Sequence, residues 1–275
     1  MTTLEKTPFD SSEAGDGLTP VLSFIGRVMA CKTIEQVWPI HTAKMAEYGF
    51  DRILYASNRF RTHGEFGDPS DAIVLTNHDK AYVDVFFGQS LFFHAPMAVW
   101  AAQNSGVCSW KWAADRRARG ETSERENAVM DLNEKFDVVA GYSISFDHDS
   151  DRLKSAIGLC ARRGLSQDDV EAIWARHGAE ITELNNVVNL KISTLPYERQ
   201  GKPLTSRQRE VLQWVADGKT IQDVATIMDL NAATVEKHLR LAREVLNADT
   251  TAQAVMKASV QNQFFVFSAL KGGRG

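Results

Sequence analysis

Residues 204–258 read LTSRQREVLQWVADGKTIQDVATIMDLNAATVEKHLRLAREVLNADTTAQAVMKA, and this stretch decides the architecture of the C-terminal part of the chain. Its apolar residues recur at helical spacing in four short blocks separated by turn-forming residues, which predicts a small bundle of helices rather than a sheet. Thr205 and Gln208 have the spacing of a capping box at the start of the first helix. Thr220 is predicted to begin the second helix, and Asn231 to cap the third.

The second and third helices, joined by a tight turn, form a predicted helix-turn-helix. In the third helix an apolar stripe is predicted to face the core of the bundle: Val235, Leu239, Ala242 and Leu246. The remaining face is then exposed, and it carries Thr234, Lys237, Arg240, Leu241 and Arg243.

Motifs in the same stretch resemble the LuxR-type DNA-binding domain in order and spacing. The matching blocks are Leu204-Thr-x-Arg-x-x-Glu210-Val-Leu, Trp214-x-Ala-x-Gly218-Lys219-Thr220, Val224-Ala225, Thr234-Val235-x-x-His238 and Gln253-Ala-Val255. The resemblance implies that the third helix lies in the major groove of DNA, and that a fourth helix forms a two-fold dimer contact. It also implies DNA-facing roles for Thr234, Lys237, Arg240 and Leu241, with Arg207, Lys219 and Arg243 near phosphates.

The charges of this stretch leave the strength of DNA binding open. It holds seven basic and seven acidic residues, so a basic surface must come from their arrangement. Glu236 on the third helix either accepts a hydrogen bond from a cytosine amine or merely lies near the helix N-terminus. The LuxR type usually has Lys-Leu-Gly where this chain has Val245-Leu246-Asn247, and Arg where it has Thr251. Weakened or partner-dependent DNA binding is therefore one interpretation.

Length and composition are those of a globular chain with room for two domains. The chain has 275 residues, of which 44% are hydrophobic and 24% charged, and its net charge of −4 argues against a general nucleic-acid or membrane coat. Cys31, Cys108 and Cys160 are widely spaced, which suggests neither a disulfide framework nor a zinc site, so we expect a reducing cytoplasm. No apolar run approaches the ~20 residues of a membrane helix, and the start of the chain does not resemble a signal peptide. We expect no membrane partner.

Before residue 194 the chain alternates helical and strand patterns. The predicted elements are helices within 20–48, a strand around Ile53 and Tyr55, a loop at 61–71, a charged helix at 115–136, strands at 138–146 and 154–161, and a long helix at 166–193. This order predicts an α+β fold: an N-terminal α/β/α sandwich with an antiparallel sheet, followed by an all-α four-helix helix-turn-helix domain. The predicted divisions are a flexible tail at 1–19, a sensor domain at 20–193, a linker at 194–203, the DNA-binding domain at 204–263 and a C-terminal tail at 264–275.

The predicted sensor domain resembles the autoinducer-binding domain of quorum-sensing LuxR regulators. That family holds an N-acyl-homoserine lactone between the sheet and the helices, and its motif is an aromatic pair, an Asp-Pro, a Trp and a Gly. By spacing, the resemblance places these ligand-binding positions at His78, Tyr82, Phe86, Ala95, Trp110, Gly141 and Cys160. In the family the Asp accepts a hydrogen bond from the ligand amide, which Ala95 cannot do. Its loss corresponds to about 1.5–3 kcal/mol, or about tenfold to a hundredfold in affinity.

Two kinds of alternative remain for the N-terminal residues. The aromatic side chains either line a pocket for a small apolar ligand or simply form a packed core. Asp147, His148 and the neighbouring acids suggest a metal site only weakly, since Asp-rich turns are common between strands. Cys108 with nearby histidines does not form a recognisable catalytic motif, so we expect neither an enzyme nor a cofactor other than a small-molecule autoinducer.

The sequence therefore predicts a DNA-binding transcriptional regulator of the LuxR type. We expect a homodimer that responds to a small molecule, either an acyl-homoserine lactone or a different ligand, and binds an inverted-repeat promoter site on double-stranded DNA. An activator of this kind also has RNA polymerase as an expected partner. The alternative is an interaction protein that binds DNA weakly or not at all, and that pairs with a related receptor and silences it.

Overall fold

The computed structural model describes residues 19–60, 71–148, 150, 152–197 and 203–265. The N-terminal domain contains, in chain order, α1 Pro20–Ala30, α2 Ile34–Glu47, β1 Phe50–Asn58, β2 Ala72–Thr76, α3 Lys80–Gly88, a short 3-10 helix Leu91–His94, α4 Pro96–Gln103, β3 Gly106–Ser109, α5 Lys111–Ala118, α6 Glu124–Lys135, β4 Gly141–Ser145, β5 Lys154–Ala161 and α7 Gln167–Thr194. The C-terminal domain contains α8 Ser206–Ala216, α9 Ile221–Ile227, α10 Ala232–Leu246, α11 Thr251–Val260 and a short 3-10 helix Gln263–Phe265.

The five strands form one antiparallel sheet in the order β2-β1-β5-β4-β3. Side chains alternate between its faces, so that Ile53 and Tyr55 of β1 join a core with α1, α2 and α7. Leu54 lies on the other face, where a second core forms with Tyr82 of α3, Ala95 and Val129 of α6. The sheet is therefore covered by helices on both sides, as the sequence predicts.

Element boundaries depart from the sequence predictions where short segments are involved. The predicted charged helix at 115–136 is two helices, because Gly120 takes a positive φ of 71° and Ser123 begins α6 with a capping box. Strands β2 and β3 have five and four residues, and the sequence patterns did not identify either. Strand β5 occupies residues 154–161, as predicted.

The C-terminal domain forms the predicted helical bundle. Capping boxes start α8 at Thr205 and α9 at Thr220, and the side chain of Asn231 caps α10. The predicted inward stripe of α10 is buried: Val235, Leu239, Ala242 and Leu246. Ile227, the last residue of α9, is 47% exposed. Phe264 packs against this core, although the predicted tail begins there; residues 266–275 lie outside the described residues.

Helix α11 is tied to the N-terminal domain by a buried ion pair. The Nζ of Lys257 lies 2.9 and 3.0 Å from the two carboxylate oxygens of Asp71, and the side chains are only 5% and 9% exposed. The same ammonium donates to the carbonyl of Asn247 at 3.0 Å and lies 5.4 Å from the ring centroid of Phe60. Arg59, just after β1, donates to the carbonyl of Val260. The end of β1 and the start of β2 therefore contact the DNA-binding domain.

Candidate ligand cavity and nucleic-acid interface

A cavity of about 330 Å³ lies between the sheet and helices α3 to α6. This volume is at the small end of the range of small-molecule sites. Strand residues form its floor, among them Leu54 and Ala56 of β1, Ser143 of β4 and Gly158 of β5. Five of the predicted ligand-binding residues line it: His78, Tyr82, Phe86, Ala95 and Trp110.

Three of these residues form an aromatic stack along α3 and the segment before it. The ring centroids of His78 and Tyr82 are 5.1 Å apart, and those of Tyr82 and Phe86 are 5.3 Å apart with nearly parallel planes. Tyr82 and Phe86 are four residues apart in α3, which puts them on one helical face. Burial lowers the pKa of His78 to about 4, so its ring is neutral near pH 7. Burial also raises the pKa of Tyr82, whose hydroxyl donates to the Oδ1 of Asn133 at 2.9 Å.

The indole of Trp110 lies close to β4 and β5, and its position explains why residue 141 is a glycine. Its Nε1 donates to the hydroxyl of Ser143 at 3.0 Å. A Cβ on Gly141 would lie 3.0 Å from the Trp110 ring and 2.2 Å from the backbone oxygen of Leu159. Gly141 therefore gives Trp110 room to approach the strand. Gly141 itself, a predicted ligand contact, is not among the residues that line the cavity.

Cys160, a second predicted ligand contact, is not among the residues that line the cavity. Its side chain is on the same face of the sheet as Gly158, but it is fully buried in a cluster with Tyr82 and Phe86. Burial raises the pKa of the Cys160 thiol to about 12, so the group stays protonated. We assign it a packing role.

Ala95 stands at the entrance to α4 and brings a methyl group to the cavity. It is 8% exposed and precedes Pro96, the first residue of the helix. Among the described residues of the cavity wall, Glu134 has a charged side chain. This side chain is 63% exposed and pairs with Arg117 at 3.0 Å. The buried end of the cavity wall therefore presents no carboxylate from the described residues.

Several residues that shape the cavity escaped the sequence prediction. Arg52 of β1 is buried, and its guanidinium donates to the carbonyls of Phe136, Asp137 and Ala161, which anchors the end of α6 to the sheet. Asn133 enters the wall from α6. For Arg52, the available signal in the sequence was an arginine at an inward-facing position of a predicted strand. The place of Asn133 in the cavity wall depends on long-range packing.

The predicted DNA-facing residues of α10 differ in how far they are exposed. Lys237 and Arg240 are exposed, as is Glu236 between them and the cap. The hydroxyl of Thr234 donates to the Oδ1 of Asn231, so this half-buried side chain is engaged in the helix cap. Two more predicted residues, Leu241 and Arg243, are half-buried.

The predicted basic contacts are partly neutralised by acids on the same surface. Arg207 pairs with Glu210 at 3.0 Å, and Arg240 pairs with Glu244 one turn away. Exposed pairs of this kind contribute little, about 0–1 kcal/mol, so the arginines can exchange them for phosphates. Lys219 is exposed at the turn before α9.

Asn247 stands where the LuxR type usually has glycine, and this difference is compatible with the fold. It ends α10 with a left-handed backbone, φ 50° and ψ 56°. Glycine is the usual residue in this conformation, and Asn is the next best tolerated. Asn247 in place of glycine therefore leaves the end of α10 intact.

The weaker candidates gain no support. Within the described ranges, no three His, Cys, Asp or Glu side chains gather where they could hold a metal ion, and Asp149 and Asp151 of the acidic motif lie outside those ranges. Burial raises the pKa of the Cys108 thiol, which disfavours the nucleophilic thiolate. In the part of the chain that the structure describes, no helix is both long and apolar enough to cross a membrane.

Comparisons with known proteins agree with both halves of the structure. Residues 33–192 match the autoinducer binding domain, and residues 202–258 match the bacterial regulatory proteins of the luxR family. The transcriptional activator protein ExpR of Dickeya dadantii is 21% identical over 181 residues, 62% of this chain and 70% of ExpR. The quorum sensing-dependent regulator RpaR of Rhodopseudomonas palustris is 29% identical over 149 residues, 54% of this chain and 57% of RpaR.

A solved structure has the same fold. The crystal structure of Escherichia coli SdiA aligns over 89% of this chain and 97% of the SdiA chain, with a TM-score of 0.50 and 15% sequence identity. The relatives are transcriptional regulators rather than enzymes. An autoinducer-binding domain followed by a luxR-type helix-turn-helix identifies this chain as a member of the LuxR family of autoinducer-responsive transcriptional regulators.

Proposed function

We propose that the chain is a homodimeric regulator that binds an inverted-repeat promoter site when a small molecule occupies the cavity. The observation that carries this proposal is the cavity between sheet and helices in the same chain as an exposed, capped recognition helix. His78, Tyr82, Phe86, Ala95 and Trp110 are the proposed ligand contacts. The proposed DNA contacts are Thr234, Lys237, Arg240, Leu241 and Arg243, with Arg207 and Lys219 near phosphates.

Helix α11 supports the proposed dimer. One of its faces is exposed and carries Ala252, Met256 and Ser259, and Met256 is 37% exposed. The face with Lys257 is instead buried against the N-terminal domain. An exposed stripe of small and apolar residues can pair with its own copy about a two-fold axis, which would match half-sites about one helical turn apart.

Contacts between the domains provide a route from the cavity to DNA. Strand β1 lines the cavity with Leu54 and Ala56, and the residues that follow it contact α11 through Arg59 and Phe60. A ligand that binds one arrangement of the domains more tightly shifts the population toward it. Several relatives are named transcriptional activators, which supports activation as the outcome. For an activator, RNA polymerase is the proposed partner.

A gel-shift titration of the purified full chain against selected inverted-repeat DNA, over a range of salt concentrations, tests this function. Arg240→Ala should weaken specific retardation by about fivefold to 150-fold, because a base contact of this kind contributes about 1–3 kcal/mol. Lys219→Ala is the matched comparison: it should weaken binding to all sequences and lower the salt slope by about 0.9. An unchanged affinity of Arg240→Ala for the specific site contradicts the assignment.

The second candidate, a partner-silencing interaction protein, draws support from the acids that pair with Arg207 and Arg240. Those pairs compete with phosphate for the same guanidinium groups. Absence of DNA binding even at low salt, together with a stable complex with a related receptor, would favour this candidate over the regulator.

A further inference from the structure

Glu236 lies in the middle of the surface that α10 turns away from the core of its domain. The exposed residues of this helix share one face, opposite the buried stripe: Ala233, Glu236, Lys237, Arg240 and Glu244. Thr234 and Leu241, which the sequence predicts to face DNA, are half-buried at the margins of this face. Glu236 borders one groove together with Lys237 and Arg240. It is therefore better placed to meet a DNA groove than Thr234 and Leu241.

The carboxylate of Glu236 is not engaged by another side chain of the described residues. Arg240, one turn further along α10, has the right spacing to pair with it, but its guanidinium pairs with Glu244 on the following turn. In the part of the chain that the structure describes, the Glu236 side chain has no other ion pair or hydrogen bond. Ala233, three residues earlier, contributes only a methyl group to the same face. The carboxylate is therefore open to a molecule that approaches α10.

The N-terminus of α10 does not account for an acid at this position. The helix begins at Ala232, so Glu236 is its fifth residue and lies beyond the first turn, which contains no acidic residue. The favourable effect of the helix dipole on an acid falls off within the first turn. The side chain of Asn231 already caps the helix by accepting from the N–H of Thr234 at 2.8 Å. Of the two interpretations of Glu236 that the sequence allows, a contact with DNA is the one that these positions favour.

A carboxylate in the major groove favours one base over the other three. Phosphates repel it, and the base groups that can donate a hydrogen bond to it there are the N4 amine of cytosine and the N6 amine of adenine. The adenine amine lies beside the N7 acceptor of the same base, which repels a carboxylate. The cytosine edge carries a donor and no acceptor in this groove. The cytosine amine is therefore the group that matches Glu236.

We propose that Glu236 is a specificity-determining residue that accepts a hydrogen bond from the N4 amine of a cytosine in each half-site. This inference rests on the proposed function, in which α10 lies in the major groove. Arg240 is one turn away, about 6 Å along the helix, and arginine most often contacts guanine. Base pairs are spaced about 3.4 Å apart, so the cytosine lies within about two base pairs of the guanine that Arg240 contacts.

Selection of binding sites from randomised duplex DNA tests this assignment on the full chain, with N-octanoyl-homoserine lactone added as the probe for the cavity. The wild type should select a cytosine at one fixed position of each half-site, and replacing that base pair should weaken binding by about fivefold to 150-fold. Glu236→Gln should select adenine there instead, because a glutamine amide pairs with adenine N6 and N7. Glu236→Ala should bind sites with any of the four base pairs at this position with similar affinity.

Asp217→Asn is the matched control, because it removes the same charge from an exposed side chain in the turn between α8 and α9. Less repulsion from phosphates should raise its affinity for all duplexes and leave the selected base unchanged. Both sites are exposed, so the variants are expected to keep the Tm of the wild type.

Two results would overturn the cytosine contact and leave the proposed function standing. One is a wild-type site without a fixed cytosine in its half-sites, and the other is the same base preference in the wild type, Glu236→Gln and Glu236→Ala. Failure of the wild type to select any site would overturn the proposed function as well.

Discussion

Gly141→Ala should destabilise the sensor domain, because this point of the sheet has no room for a side chain. The added Cβ would lie 2.2 Å from the backbone oxygen of Leu159 and 3.0 Å from the ring of Trp110. Strand β5 is paired with β4 over residues 156–160 and with β1 on its other side, so the oxygen cannot move without disturbing the sheet. Overpacking costs about 1–3 kcal/mol, and we expect the upper end because the obstacle is backbone.

Gly158→Ala is the matched control on the neighbouring strand, beneath the same ring. A Cβ at Gly158 would meet Trp110 at 3.7 Å and the carbonyl of Leu54 at 4.0 Å, both ordinary contacts. A glycine replaced without strain stabilises a protein by about 0.4–1 kcal/mol, because the unfolded chain loses freedom. The two variants should therefore change the free energy of unfolding in opposite directions.

Urea unfolding followed by tryptophan fluorescence measures both changes. Trp214 is the one tryptophan of the DNA-binding region, so a Trp214→Phe background leaves only sensor-domain signals. Extrapolated free energies carry about 10–15% uncertainty, which is small beside the expected difference. The steric explanation is refuted if Gly141→Ala stays within about 0.5 kcal/mol of its parent, or if both variants lose stability equally.

Three further predictions concern other parts of the chain. Asp71→Ala leaves the buried ammonium of Lys257 without its carboxylate, which should weaken domain docking by about 3–5 kcal/mol and speed hydrogen exchange in α11; Asp84→Ala, in an exposed pair, should not. Burial lowers the pKa of His41 to about 4. As the pH falls, this histidine is therefore protonated in the unfolded chain at a higher pH than in the folded chain. Stability should therefore fall by up to about 3 kcal/mol as pH drops from about 6.5 to about 4, and a denaturation profile of His41→Gln with the same slope would contradict this. Asn247→Ala should cost about 1 kcal/mol at its left-handed φ, whereas Asn247→Gly should leave Tm unchanged; equal Tm values for both would refute the role of the backbone.

The C-terminal domain could be predicted closely because its signals are local. Caps at Thr205, Thr220 and Asn231 lie within four residues of the groups they satisfy, and the apolar stripe repeats within one helix. The edge strands β2 and β3 are different. With five and four residues they are too short to show an alternating pattern, and their existence depends on pairing with β1 and β4.

The cavity could be predicted only in part, because some of its residues are brought together by long-range packing and not by local spacing. Tyr82 and Phe86 are four residues apart on one helix, so spacing alone brings them together. Ser143 and Asn133 reach the cavity from β4 and α6, and only the packing of the whole domain brings them to their hydrogen-bond partners Trp110 and Tyr82. Gly141 was predicted as a ligand contact, whereas its role in seating Trp110 depends on the distance to the next strand, which the sequence does not show.

Ala95 separates what the fold requires from what the ligand requires. The residue before Pro96 must be extended, and Ala95 satisfies this with φ −66° and ψ 119°. An aspartate there would also cap α4, so its absence costs the helix about 1 kcal/mol but leaves the backbone path unchanged. The position can therefore change chemistry while the cavity around it keeps its shape. A LuxR-family fold can thus be retained while the hydrogen-bonding groups that this position offers to the cavity differ.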